Sequence, residues 1–186
     1  MAMQRVLAIS GSLRAKSYNT RALKFAKEIA PPTLQLELFD IREIPPYDED
    51  VRRAGFPPIV EALRNGLKAA AGVLISTPEY NRSIPGVLKN AIDWTSRPPH
   101  QPWAEKPVAI MGVSTSRFGT ARAQHELHKV LVSLDAYILN KPDVMISLAE
   151  TVFDEDGHPH DKRVGEQISA QLAAFARWIE RVGKAD

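Results

Sequence analysis

The sequence predicts an α/β fold built on a doubly wound, five-stranded parallel sheet with the strand order 2-1-3-4-5. Two observations carry this prediction. Short apolar segments alternate with longer segments of helical periodicity, which is typical of a parallel sheet covered by helices on both faces. Five such pairs fit into the 186 residues, as that strand order requires. Because the chain has 44% hydrophobic residues, we expect one domain with a sizeable core over residues 1–186.

Apolar runs predict the five strands. Residues 6–10 and 73–77 are nearly continuous apolar or β-branched runs, which are typical of strands buried on both faces. Residues 34–39 alternate apolar and polar side chains, which indicates a strand nearer the edge of the sheet. The fourth strand is predicted over residues 108–113, and the fifth is expected around residues 144–146.

Helical periodicity and helix breakers predict the helices between these strands. The predicted helices cover residues 21–30, 59–71, 85–94, 121–134 and 164–182. Pro85 suits the first position of a helix, where a missing N–H costs nothing, and Ser83 or Asn81 is available as its cap. Residues 40–58 are rich in proline and charge, so we expect an irregular segment there.

Polar loops follow the first, third and fourth strands, at residues 11–20, 78–84 and 114–120. These three strands are neighbours in the predicted order, which is the flavodoxin-like one. Their loops therefore meet at the carboxyl edge of the sheet, where open parallel sheets bind ligands. The sequence thus predicts a binding site made from three loops.

The first loop has the composition of an anion site. Ser12, Ser17, Tyr18 and Asn19 can donate hydrogen bonds, Arg14 brings a charged fork suited to phosphate, and the following helix adds free N–H groups. A plain turn with a helix cap and a solvated arginine explains the same residues, and both interpretations stay open at this stage. Neither G-x-G-x-x-G nor G-x-x-x-x-G-K-[ST] occurs in the chain, so a dinucleotide-binding Rossmann domain is unsupported.

The second and third loops suit a planar ligand. Tyr80 offers a flat surface for a ring, with Glu79 and Asn81 as polar neighbours, although Tyr80 can equally belong to the core. Residues 114–116 of the third loop are small and hydroxyl-rich, so a ligand can approach them closely.

Composition excludes several other classes of protein. There is no cysteine, so disulfides and thiolate chemistry are excluded. A net charge of +2 is too weak to indicate nucleic acid or an anionic membrane. No apolar run has the roughly 20 residues of a membrane span, and no signal-peptide pattern occurs, so we expect a cytoplasmic protein. The acidic stretch at residues 154–161 does not match the EF-hand signature, so we interpret it as a solvated turn and expect no metal site.

Two long motifs carry a family resemblance. The motif G-S-L-R-x-x-S-x-N at residues 11–19, with P-E-Y-N-x-S-x-P-G-x-L-K-N-A-I-D-W at residues 78–94, resembles the NAD(P)H-dependent FMN reductase family. Within it, the bacterial quinone, chromate and azo-dye reductases with a flavodoxin-like fold are the most similar. The resemblance covers most of the chain, from the first strand to about residue 124.

The resemblance implies FMN as the cofactor and NADPH or NADH as the co-substrate. It assigns Ser12, Arg14, Ser17 and Asn19, with Tyr18 nearby, to the 5′-phosphate, Pro78, Glu79, Tyr80 and Asn81 to the isoalloxazine ring, and Ser114, Thr115 and Ser116 to the ribityl chain or ring edge. It assigns no catalytic side chain, because FMN N5 carries the hydride chemistry.

The implied reaction is a ping-pong transfer of electrons from NAD(P)H through FMN to a quinone-like, azo or chromate acceptor. The resemblance also implies a homodimer or homotetramer, and the sequence offers Trp94 and Trp103 as candidate apolar surface. Two alternatives remain. A flavodoxin-type electron carrier is disfavoured by a pI of about 8.9, because such carriers are strongly acidic. A flavin-free binding domain would fail to bind added FMN.

Overall fold

One parallel sheet organises the chain. The computed structural model describes residues 3–154 and 157–183. The strands are β1 (Gln4–Ser10), β2 (Leu34–Phe39), β3 (Gly72–Ser76), β4 (Pro107–Val113), β5 (Tyr137–Ile138) and β6 (Val144–Ile146). They pair in the order β2-β1-β3-β4-β5, and β6 also pairs with β4. The predicted flavodoxin-like α/β class and strand order are therefore confirmed.

Helices cover both faces of this sheet. They are α1 (Tyr18–Glu28), α2 (Glu49–Ala54), α3 (Pro58–Ala69), α4 (Gly86–Thr95), α5 (Ala121–Val132), α6 (Ala149–Val152) and α7 (Lys162–Val182). One apolar core packs α1 and α7 against the sheet, and a second packs α3, α4 and α5 against the opposite face. In the described part of the chain, no helix has both the length and the apolar character needed to cross a bilayer.

Three details of the helices differ from the prediction. Helix α1 begins at Tyr18 rather than at residue 21, because the side chain of Ser17 caps it by accepting the Thr20 N–H. The segment predicted to be irregular contains α2, which the Asp48 side chain caps. The predicted caps of α4 are wrong: Pro85 itself occupies the N-cap position, and no side chain caps this helix.

The fifth position of the sheet is divided between two short strands. Ile138 of β5 lies opposite Val108, whereas Val144 of β6 lies opposite Met111. Between them, the buried side chain of Gln171 on α7 donates to the Ile110 carbonyl oxygen at 2.9 Å. A side-chain amide thus satisfies a backbone acceptor that a continuous strand would otherwise satisfy.

Trp94 and Trp103 do not form apolar surface. Both side chains are almost fully buried, and each indole N–H has a hydrogen-bond acceptor. Trp94 donates to the Pro45 carbonyl oxygen at 2.8 Å, and Trp103 donates to the Thr95 hydroxyl at 2.9 Å. The expectation of an exposed tryptophan surface is therefore wrong, because these rings have found both apolar packing and a polar partner in the core.

Candidate functional site

The three polar loops meet in one cavity at the carboxyl edge of β1, β3 and β4. Ten of the twelve residues that the family resemblance assigns to the cofactor line this cavity of about 110 Å³: Ser12, Arg14, Ser17, Tyr18, Asn19, Pro78, Glu79, Tyr80, Ser114 and Thr115. Asn81 and Ser116 are not part of its lining, and Val113 is added. The predicted convergence of the loops therefore corresponds to a real concave site.

Two glycines allow these loops to approach one another. A Cβ atom on Gly11 would lie 3.3 Å from the Pro78 ring, closer than most real side chains come. A Cβ atom on Gly112 would lie 2.5 Å from the Thr77 carbonyl oxygen, which the backbone cannot accommodate. Any larger residue at Gly112 would push β3 and β4 apart beneath the cavity.

The first loop presents oriented hydroxyl donors. Ser12 Oγ accepts the Arg14 N–H at 3.4 Å, and Ser17 Oγ accepts the Thr20 N–H at 3.3 Å. Because each oxygen is held as an acceptor, its own O–H remains available to a ligand. The Arg14 side chain is exposed and forms no ion pair with any residue that the structure describes.

The N-terminus of α1 adds to this anion site. Tyr18 and Asn19 begin the helix, and its first turn contains no acidic residue. The positive end of the helix dipole therefore faces the cavity without a carboxylate to oppose an anion.

Asn19 joins the first loop to the neighbouring strands. Its side chain is buried, at 3% exposure. Its Nδ2 donates to the Val113 carbonyl oxygen at 2.9 Å, and its Oδ1 accepts the Val113 N–H at 3.0 Å and the Ser76 hydroxyl at 2.8 Å. These bonds use both acceptor positions and one of the two N–H donors of the amide. The second N–H is left for a ligand in the cavity that Asn19 lines.

A tight turn shapes the second loop. Tyr80 and Ser83 exchange both backbone hydrogen bonds at 3.0 Å, and Asn81 and Arg82 between them have φ values of 50° and 64°. This is the geometry of a two-residue turn with left-handed central residues. Tyr80 is 46% exposed, so its ring belongs to the mouth of the cavity and not to the core.

Glu79 turns its carboxylate away from solvent and onto α5. Its Oε2 accepts the N–H groups of Arg122 at 3.0 Å and Ala123 at 3.2 Å, and its Oε1 accepts the Arg122 guanidinium at 3.1 Å. The second loop is therefore fastened to the helix that follows the third loop.

The third loop is supported from the edge of the sheet. The Ser114 N–H donates to the Ile146 carbonyl oxygen at 2.9 Å, and Ser114 Oγ accepts the Ser116 N–H at 3.1 Å. Phe118 is exposed, and the Arg122 guanidinium lies 4.7 Å from its ring centre. This loop thus brings Ser114 and Thr115 to the cavity, while Ser116 stabilises the turn behind them.

Sequence reasoning missed Val113 and Arg122 at this site. Val113 is the last apolar residue of a strand, and Arg122 is one of many charged residues on amphipathic helices, so neither residue stands out in the pattern. Val113 belongs to the site through its hydrogen bond with Asn19, and Arg122 through its hydrogen bond with Glu79. These contacts span 94 and 43 residues, so they exist only in the folded chain.

Larger cavities are also present in the described part of the chain. One of about 250 Å³ adjoins the site, between the first loop and the end of β2, and shares Ser12 and Arg14 with it. One of about 400 Å³ separates α5 from β5 and β6, and one of about 590 Å³ lies between α1 and α7. None of these cavities collects donors from all three loops. Among the residues that the structure describes, no three His, Asp or Glu side chains are grouped as a metal ion requires.

The cavity fits the phosphate end of FMN. Two serine hydroxyls, an arginine, an amide N–H and a helix N-terminus are the donors that a phosphate group needs. A volume of about 110 Å³ is below the roughly 300–1,000 Å³ of a pocket that encloses a whole ligand. The flavin ring would therefore lie at the open mouth, where Tyr80 and Thr115 are exposed.

Known proteins resemble this chain over nearly its whole length. It is 54% identical to an NAD(P)H-dependent FMN reductase of Pseudomonas aeruginosa over 96% of both chains, and 44% identical to a quinone reductase of Escherichia coli over 96% of both chains. Its fold is similar to that of FerB, a flavoenzyme NAD(P)H:(acceptor) oxidoreductase from Paracoccus denitrificans, with a TM-score of 0.89 and 34% identity over 96% of this chain and 98% of that one.

A family match agrees with these relatives. The model of the family described as NADPH-dependent FMN reductase matches residues 4–151, which include all three loops and the strands that carry them. The chain belongs to the NADPH-dependent FMN reductase family.

Proposed function

We propose that this chain, an FMN-dependent enzyme that oxidises NAD(P)H, delivers the electrons to a quinone by a ping-pong mechanism. The observation that carries the proposal is the cavity at the three loops, which collects ten of the residues assigned to FMN. Named relatives, among them the quinone reductase of E. coli, support a quinone as acceptor.

Bound FMN would supply the hydride and electron chemistry, so the side chains have other tasks. Ser12, Ser17 and Arg14 would hold the phosphate, and the remaining N–H of Asn19 would complete this set. Tyr80 and the backbone around it would support the ring at the mouth of the cavity. A quinone takes two electrons and two protons, and NAD(P)H supplies both electrons with one proton while solvent supplies the other.

The two substrates use the same opening in turn. The cavity mouth lies beside exposed Tyr80 and Thr115, and the chain has no G-x-G-x-x-G motif that would bind the dinucleotide elsewhere. NAD(P)⁺ must therefore leave before the acceptor can reach the ring, which supports the ping-pong order. Azo compounds and chromate are candidate acceptors for the same open face.

Anaerobic absorption spectroscopy tests this cycle. We expect flavin bands that bleach when NADPH or NADH is added and return when a benzoquinone follows, and parallel initial-rate lines when both substrates are varied. Azo dye and chromate replace the quinone in separate runs. Flavin bands that neither nicotinamide bleaches would favour the electron carrier, and a protein that takes up no FMN would refute the proposal.

Arg14→Ala tests the location of the phosphate. A charge-assisted hydrogen bond contributes about 1.5–3 kcal/mol, so we expect FMN affinity to fall about 10- to 100-fold, as measured by fluorescence titration of the apoprotein. Lys16→Ala is the matched control, because Lys16 is an exposed cation of the same loop that does not line the cavity. Equal FMN affinity in the two variants would place the phosphate elsewhere.

We also propose that the chain forms a homodimer or homotetramer. Exposed apolar side chains stand beside the third loop: Phe118 is 67%, Leu148 45% and Met145 40% exposed. Such a group is typical of a surface that another protein covers. Size-exclusion chromatography with light scattering measures the oligomeric state, and a monomer at micromolar concentration would contradict the proposal.

A further inference from the structure

Helix α5 takes its N-terminal cap from a distant part of the chain. Its own N-cap residue, Thr120, makes no side-chain capping hydrogen bond, because its hydroxyl accepts the Gln124 amide at 2.9 Å instead. Glu79 satisfies the N–H groups of Arg122 and Ala123, the second and third residues of the helix. These are the N–H groups that a capping side chain normally satisfies.

This cap lies at the cofactor cavity. Glu79 stands between buried Pro78 and exposed Tyr80, and all three residues line the cavity. Its side chain is only 9% exposed, so its contacts with α5 fix the direction in which the loop backbone leaves β3. Loss of the cap would shift the loop backbone at Glu79, and the cavity-lining side chains of Pro78 and Tyr80 would shift with it.

The same carboxylate is a negative charge held at a redox site. Arg122 contributes one positive charge at 3.1 Å from Glu79 Oε1, and the N-terminus of α5 adds a partial positive charge. A lone carboxylate beside a flavin opposes reduction, because reduction adds negative charge to the ring. Compensation by Arg122 removes that opposition.

We propose that Glu79 is a positioning residue that fixes the Pro78–Tyr80 backbone, and that the Glu79–Arg122 pair sets the reduction potential of FMN bound there. The inference rests on the proposed function, since it requires FMN at the three loops. It assigns to Glu79 a role through α5 and through charge, in addition to the contact with the ring that the family resemblance assigns to it.

Opposite charge changes test the electrostatic part. Glu79→Gln keeps an oxygen that can accept the helix N–H groups but leaves Arg122 uncompensated, so the midpoint potential of bound FMN should rise. Arg122→Gln leaves the carboxylate with its cap but without its counter-charge, so the potential should fall. A purely structural role does not predict that the two variants shift the midpoint potential in opposite directions. Shifts of the potential in the same direction, or no shift, would overturn the assignment.

Loss of the cap tests the positioning part. Glu79→Ala should raise the FMN dissociation constant about 10-fold, equivalent to about 1.4 kcal/mol, because the Pro78–Tyr80 backbone loses the contacts that hold it against α5. Glu79→Gln should restore most of the affinity. If Glu79→Ala does not fold, the comparison of Glu79→Gln with Glu79→Asp, whose shorter side chain cannot span the same gap, decides the question. Equal affinity of all variants would refute positioning.

A matched control separates these effects from the loss of any ion pair. Glu37 pairs with Arg5 at 2.8 Å on β2 and β1, outside the residues that line the cavity. Glu37→Gln should change neither the potential nor the FMN affinity. If the wild-type protein binds no FMN, the proposed function itself is refuted. If it binds FMN normally and the Glu79 variants change neither the FMN affinity nor the midpoint potential, only this inference is refuted.

Discussion

The Asn19→Ala variant tests whether one buried amide holds the binding edge together. The change removes the acceptor for the Val113 N–H and the Ser76 hydroxyl, and the donor for the Val113 carbonyl oxygen. Each lost hydrogen bond is worth about 1 kcal/mol, and a buried group left unpaired costs about 1–3 kcal/mol. With partial relaxation, we expect the free energy of unfolding to fall by about 4 kcal/mol, a large part of the roughly 5–15 kcal/mol of a typical domain.

Urea unfolding of the apoprotein measures this effect without stabilisation by bound ligand. With a slope near 2 kcal/mol per molar urea, the midpoint should fall by about 2 M at unchanged slope. Asn140→Ala is the control, because Asn140 is an exposed asparagine, and its variant should stay within about 0.5 kcal/mol of wild type. A midpoint shift of Asn19→Ala below about 0.5 M would refute the reasoning.

The Asn19→Asp variant adds a pH signature. One carboxylate oxygen can still accept the bonds from Val113 and Ser76, but the other faces the Val113 carbonyl oxygen, which repels it. Burial and this repulsion raise the pKa of the new carboxyl in the folded state. Its destabilisation should therefore be small below the ordinary aspartate pKa of about 3.9 and grow as the pH rises. Destabilisation independent of pH would show that the carboxylate finds solvent.

Two further predictions concern the second loop and helix α2. Arg82→Gly should raise the free energy of unfolding by about 0.5 kcal/mol, because the φ of 64° strains a side-chain-bearing residue and Asn81 followed by glycine suits this turn; a lower urea midpoint would contradict it. The Glu49 pKa is lowered from 4.5 to about 2, chiefly by the hydrogen bond from Arg52 and then by that from Tyr47. The ionised carboxylate therefore stabilises the fold above about pH 4.5, and this effect is lost as the pH falls towards 2. Between these pH values, the free energy of unfolding should fall less in Glu49→Gln than in wild type, as measured by urea titrations at each pH.

Local patterns predicted the sheet and the meeting of the loops. An apolar run such as residues 73–77 has one stable place in an α/β protein, the centre of the sheet, and β3 lies there with every residue buried. The connection order then determines which loops are neighbours. The split of the fifth strand was not predicted because it depends on Gln171, on the last helix, which donates a hydrogen bond to the Ile110 carbonyl oxygen between the two short strands. No local sequence pattern indicates a hydrogen bond between residues so far apart.

The polar residues of the motifs were harder to interpret. Ser17 looked like a loop residue although it caps α1, since a cap and an anion-binding loop use the same amino acids. The two interpretations that the sequence left open are compatible in the folded chain. The Ser17 oxygen caps the helix while its O–H stays available to a ligand, so one side chain can serve both purposes.

The positions of Asn19 and Glu79 suggest why the family motifs are longer than the list of side chains that could touch a flavin. When the cofactor carries the chemistry, the protein must hold three loops in register at one edge of a sheet. Asn19 ties the first loop to the ends of β3 and β4, and Glu79 ties the second loop to the helix behind the third. Each contact crosses from one loop to another. A substitution at either position should therefore disturb ligand contacts made by residues that it does not touch, which is a coupling that double-mutant cycles with Arg14→Ala would reveal as non-additive losses of FMN affinity.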